Sequence, residues 1–72
     1  MSKRSKREEK IRNNISNVSL EDFEALINTY GYIKEGSKHP QAIVGSHVMS
    51  YKRENPIKAA YVKQLLVFID SL

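Results

Sequence analysis

The residues with chemistry to offer gather in one short stretch, Gly36-Ser37-Lys38-His39. Imidazole is the side chain that ordinarily gains and loses a proton near neutrality. A histidine at a strand end beside glycine and lysine can therefore exchange protons while phosphates approach. Attack on a phosphodiester asks for three things: a base for the attacking hydroxyl's proton, charge stabilisation at phosphorus, and a proton for the leaving oxygen. On this reading His39 transfers the proton, while Lys38 and Lys34 hold phosphates with Lys52 and Arg53 in support. Gly36, having no Cβ, lets the backbone come close to the phosphate, and Ser37 beside it is a further candidate for binding. A literal Gly45-Ser46-His47 follows further on, and His47 and Tyr51 are the weaker candidates for a second acid.

Each of these residues also has an ordinary explanation. A lone histidine at a strand start is commonly a solvated turn residue, and lysines on short strands commonly serve solubility. Tyr32 and Tyr51 can stack on bases or pack against their neighbours. Two histidines without a helical His-x-x-x-His pair or clustered carboxylates do not make a metal site. No glycine pattern matches a phosphate-binding loop or a dinucleotide fingerprint. No cofactor is expected.

The elements that must position the stretch follow from the sequence rhythm. Ser5 or Lys6 to about Asn13 reads as a short helix, with Glu8 and Glu9 spaced to meet Arg12. Its apolar anchors are few, Ile11 and Ile15, so loose attachment is expected. Asn13 to Asn17 is turn-rich. Ser19 then caps a helix, with Asp22 in the capping-box position and Val18 and Phe23 as a hydrophobic staple. Leu20, Phe23, Leu26, Ile27 and Tyr30 trace its apolar face, and Gly31 ends it as a left-handed cap. Short β segments follow: Tyr32–Glu35, Pro40–Val44 and His47–Lys52, with Gly45-Ser46 as a hairpin turn. In the third, Val48 and Ser50 share one face and His47, Met49 and Tyr51 the other. A last helix begins between Ile57 and Ala60, with Tyr61, Leu65, Phe68 and Leu72 in one stripe and Val62, Leu66 and Ile69 beside it. Two helices on one face of a three-stranded antiparallel sheet make an α+β two-layer domain, and the other face stays open to a ligand or partner.

At 72 residues the chain forms one domain with a small core. It divides into a basic N-terminal segment with a short helix, 1–17, and an α-β-β-β-α domain, 18–72. The absence of cysteine fits a reducing cytoplasm. No apolar run approaches the roughly 20 residues of a membrane span, and no hydrophobic segment follows the basic start as a secretory signal would require. The net charge of +4 is uneven. Lys3, Arg4, Lys6, Arg7, Lys10 and Arg12 oppose only Glu8 and Glu9, and Lys34, Lys38, Lys52, Arg53, Lys58 and Lys63 oppose only Glu35 and Glu54. The first core helix carries only acidic charge. Such a distribution suits a polyanion across the sheet region.

Three strings together resemble the HicA family of toxins from HicA–HicB toxin–antitoxin pairs, over about Val18 to Leu72 and taking in Lys10-Ile11-Arg12-Asn13-Asn14. Ser19-Leu20-Glu21-Asp22-Phe23 through Tyr30-Gly31-Tyr32 looks like the family's first helix and its Gly-aromatic step. Gly36-Ser37-Lys38-His39 looks like its glycine-serine-histidine motif, with Lys38 intervening. Arg53-Glu54-Asn55-Pro56-Ile57-Lys58 followed by Tyr61-Val62-Lys63-Gln64-Leu65-Leu66 looks like the family's path into its final helix. The resemblance implies a double-stranded-RNA-binding-domain-like fold and a metal-independent endoribonuclease acting on mRNA. His39 is the matching catalytic position, and a HicB-type antitoxin is the implied partner, through which the toxin can oligomerise. A non-catalytic RNA-binding module of the same fold and a small protein–protein adaptor are the competing functions.

Overall fold

The computed structural model describes residues 6–36 and 38–72. Ser37, expected at the phosphate, lies outside the described residues, as do the basic residues Lys3 and Arg4. The described elements run α1 (Lys6–Asn13), α2 (Leu20–Tyr30), β1 (Tyr32–Lys34), β2 (Gln41–Val44), β3 (His47–Ser50) and α3 (Ala59–Asp70). This is the expected order, with the strands one or two residues shorter than their sequence patterns. The sheet is antiparallel throughout, in the order β1-β2-β3.

Register turns this sheet into two faces. Ile33, Ala42 and Met49 align across the strands, and Val44 pairs with His47. These residues face the helices, with Ala42 and Val44 wholly buried and Met49 nearly so. Tyr32, Ile43 and Val48 form one row on the opposite face, and Lys34, Gln41 and Ser50 another. Among the described residues no helix covers that face, and Tyr32 and Val48 remain more than half exposed. Gly45 closes the β2–β3 turn with φ +62° while Ser46 has negative φ. That combination belongs to a type II′ turn, whose twist suits a hairpin.

The core joins Phe23, Leu26 and Ile27 of α2 to Val62, Leu65, Phe68 and Ile69 of α3, with Val18, Tyr51 and Ile57 beside them. Leu72 departs from the expected stripe, standing exposed beyond the end of α3, and Val67 is exposed within the helix. The start of α2 is capped as its sequence promises: Ser19 Oγ accepts the Asp22 N–H at 3.1 Å. A second partner comes from far along the chain, where Asn55 Oδ1 accepts the Leu20 N–H at 3.2 Å. One step later the Ile57 N–H donates to the Val18 carbonyl at 2.9 Å. The Arg53–Lys58 segment, which includes the cis Asn55–Pro56 bond, therefore stitches the start of α2 to the approach of α3.

Two expectations are corrected. Gly31 is not left-handed, since its φ of −164° is extended backbone open to any residue. Glycine is needed there for space: a Cβ would run into the Ile43 carbonyl where the end of α2 crosses β2. The other correction concerns α1, which is firmly docked. Ile11 is 1% exposed, and the Glu8 carboxylate is equally buried. Glu8 accepts from the Tyr30 hydroxyl on α2 and from Arg12 Nε at 2.9 Å. Arg12 then reaches Asp70 with both terminal nitrogens, at 2.7 and 3.2 Å. The guanidinium is held more basic than usual, chiefly by its hydrogen bond to Asp70. It also brings positive charge to the end of α3, whose last turn has no basic residue of its own. Polar bonds supply what two apolar anchors alone do not.

Two substitutions test these contacts. Gly31→Ala should lower stability by about 1–3 kcal/mol through overpacking against β2, read as a shifted urea midpoint. An unchanged midpoint would show that the strand yields freely. Glu8→Ala should cost about 2–3 kcal/mol by leaving the Tyr30 hydroxyl and Arg12 without their shared acceptor. Hydrogen exchange should quicken first in α1; uniform loss of protection across the domain would count against a local clasp.

Candidate functional site

The β1–β2 connection carries the chemistry toward one end of the sheet. Gly36 adopts φ +126°, a conformation closed to most L side chains, and the space beside it is open. Its role in this fold is thus to redirect the chain after β1 rather than to relieve crowding. His39 follows as an exposed residue, and Pro40 just after it is buried. The Pro40 carbonyl accepts the Tyr51 N–H at 3.1 Å, extending the β2–β3 pairing beyond the strands to the base of the loop.

His39 lines a hollow of about 160 Å³ together with Ser50, Tyr51, Lys52 and Tyr61. That volume is below the ~300–1,000 Å³ of clefts that enclose whole small molecules. It suits one group projecting from a chain that lies outside. The walls carry an imidazole, an ammonium and hydroxyls, which can move a proton and hold an anion.

The two histidines part company. His47 sits at the hairpin end of β3 on the helix-facing side, where its ring stacks on Phe68 with centroids 4.7 Å apart and planes 12° from parallel. Three residues of strand, roughly 10 Å, separate it from Ser50 at the hollow. His47 therefore cannot serve as a second acid beside His39. Tyr51 cannot readily do so either. Its ring is buried against Phe23 and Tyr61, and its hydroxyl donates to Glu24 Oε2 at 2.6 Å. Burial first, and then Glu24, push that hydroxyl's pKa well above the ordinary value.

Arg53 departs from its expected part in phosphate binding. Its Nε donates to the same Glu24 oxygen at 2.7 Å, and its two terminal nitrogens grip Glu35 at 2.6 and 3.0 Å. Those bonds, Glu35 first and Glu24 second, hold the guanidinium more basic than usual. Glu35 in turn is held below the ordinary carboxylate value, chiefly by Arg53. Glu35 is the last residue before the Gly36–His39 loop, so Arg53 pins that loop's root to α2. Lys34, Lys38 and Lys52 are exposed, with Lys34 on the uncovered sheet face and Lys52 at the hollow.

The basic first helix also reads differently in three dimensions. Arg7 and Lys10 both approach Asp22, at 3.3 and 3.4 Å, and Arg12 meets Glu8 and Asp70. Burial acts to raise the Asp22 pKa, but Lys10 and Arg7 outweigh it and the net direction is down. Much of the charge read as an invitation to a polyanion is thus spent inside the fold. Ser50 and Tyr61 join the hollow without having been singled out. Tyr61 lay in the apolar stripe of α3, where its hydroxyl was the one available signal.

Among the described residues no three His, Cys, Asp or Glu side chains gather to hold a metal ion. No protein-family model, curated protein or solved structure matches the chain.

The Arg53 clamp predicts an acid response. Because the folded pKa of Glu35 is below its ordinary 4.5, the pair stabilises the fold fully above that pH and less as pH falls through the lowered value. In Arg53→Ala the Glu35 carboxyl should titrate close to 4.5 by NMR, and amides at the start of the loop should exchange faster. A Glu35 titration identical to wild type would mean that the pair does not form in solution.

Proposed function

We propose that this chain is a metal-independent endoribonuclease, the toxin of a HicA–HicB-like pair, with a double-stranded-RNA-binding-domain-like fold. The observation that carries the reading is the separation of the histidines. His39 stands exposed on a small basic hollow with Ser50, Lys52 and Tyr61, whereas His47 is stacked under α3. The α+β layout with one uncovered sheet face and the strings around Gly36, Asn55 and Tyr61 support the same assignment.

In the proposed step His39 takes the proton of a ribose 2′-hydroxyl as that oxygen attacks the adjacent phosphorus. The bond from phosphorus to the 5′-oxygen breaks, and the leaving oxygen takes a proton from the imidazolium or from water. The products are a 2′,3′-cyclic phosphate and a 5′-hydroxyl. Lys52 faces the charge that builds on the phosphoryl oxygens, and Lys38 and Lys34 hold flanking phosphates. The substrate class is mRNA, and the implied setting is the cytoplasm; among the described residues no helix is long and apolar enough to cross a membrane. A HicB-type antitoxin is the proposed partner, silencing the toxin by covering the hollow. The non-catalytic alternative draws on one feature, the commitment of Tyr51 to Glu24, which removes a nearby acid.

Incubating a defined RNA with pure protein and a chelator decides between them. Fragments bearing cyclic phosphate ends are expected, and His39→Ala should slow their appearance by ~10²–10⁴-fold while the urea midpoint holds. Intact RNA that merely migrates more slowly, or a fully active His39→Ala protein, would overturn the nuclease assignment.

A further inference from the structure

We propose that the uncovered sheet face is a platform for single-stranded RNA, on which Tyr32 stacks an unpaired base next to the His39 hollow. This rests on the RNA-directed reading of that hollow and names the form of RNA it takes.

The face is read directly from the register. Its upper row is Tyr32, Ile43 and Val48, and its lower row is Lys34, Gln41 and Ser50. Tyr32 is 57% exposed and Val48 53%, with Ile43 partly exposed between them. An aromatic ring on the edge strand β1, continued across the face by two β-branched side chains, is surface that water does not favour. None of the six residues is acidic. The nearest carboxylate at the end of β1, Glu35, is already held by Arg53.

The platform and the hollow share a residue. Ser50 closes the lower row and also lines the hollow with His39 and Lys52. From Ser50 to Tyr32 is two strand spacings across and one two-residue step along, about 12 Å. One short strand of RNA can therefore cross Ile43 and Gln41 to reach both, with Lys34 beside Tyr32 on β1 for a phosphate.

Aromatic and apolar surface of this kind selects the occupant. A duplex offers phosphates and 2′-hydroxyls to a protein surface and keeps its bases stacked inside, so it leaves Tyr32 unused. Unpaired bases stack on such a ring whatever their sequence. A second copy of the chain would set Lys34 and its neighbours against their own kind, because the net charge is +4. An apolar row with basic side chains, Lys34, Lys38 and Lys52, at one end of the sheet complements a strand that offers both unpaired bases and phosphates.

The test uses the full-length chain carrying His39→Ala, so that the RNA survives, and a short fluorescent RNA offered as a single strand or annealed to its complement. Anisotropy should show the single strand bound ~10-fold or more tightly than the duplex. Adding Tyr32→Ala should weaken single-strand binding ~5- to 150-fold, the range of one lost base stack, and Tyr32→Phe should restore it. Ultraviolet crosslinks should fall on the peptide containing Tyr32. Because Tyr32 is exposed, its variants should keep the parent urea midpoint, which separates lost binding from lost fold. Single-strand binding indifferent to Tyr32, or a duplex bound equally well, would overturn the platform while leaving the His39 hollow standing. No binding of either RNA by the wild-type chain or the variants would overturn platform and nuclease together. Concentration-dependent self-association abolished by Tyr32→Ala, with RNA affinity intact, would assign the face to a protein instead.

Discussion

A sheet three strands wide has two faces, and the described helices cover one of them. That constraint governs the whole domain. Period-two alternation sends Ala42, Val44 and Met49 under the helices, so Tyr32, Ile43 and Val48 must stand outside. A register slip of one residue would exchange the two sets and put Gln41 and Ser50 into the core. Pairing is thus held firmly by what it buries, and the exposed row is the unavoidable remainder. The same alternation divides the histidines: His47 shares the covered side with Met49, while His39 precedes the strand and escapes both faces.

The hollow owes its shape to contacts made some distance from it. Tyr51 forms one wall and is fixed by its hydrogen bond to Glu24. Arg53 meets that same carboxylate and extends to Glu35, so α2, the end of β1 and the chain leaving β3 converge on one guanidinium. The three are thereby tied together at the loop's root, in addition to their contacts through the sheet and core. Exposed ion pairs contribute little stability by themselves, but a bidentate grip fixes direction as well as distance. Here the direction fixed is that of the segment leading to His39.

Charge plays two parts in this molecule, and they lie on different elements. On α1, Arg7, Lys10 and Arg12 are partnered with Asp22, Glu8 and Asp70, which docks a helix poor in apolar side chains. Around the sheet, Lys34, Lys38 and Lys52 project into solvent. The second set is exposed to an outside anion and lies toward the end of the sheet where the hollow opens.

Element order, the Ser19 cap, the Gly45-Ser46 turn and the apolar stripes of α2 and α3 were legible in the sequence because each is a local pattern. Capping, turn geometry and periodicity depend on residues a few positions apart. Tertiary structure alone decided how distant side chains were used. It made Gly31 a point of close approach rather than a left-handed cap, and turned Arg53 from a phosphate ligand into a clamp. It also seated α1 through Glu8, and brought Ser50 and Tyr61 to His39. These outcomes depend on which atoms of remote segments meet, through crossing angles, strand register and carboxylates reached from across the fold. No window of neighbouring residues contains that information.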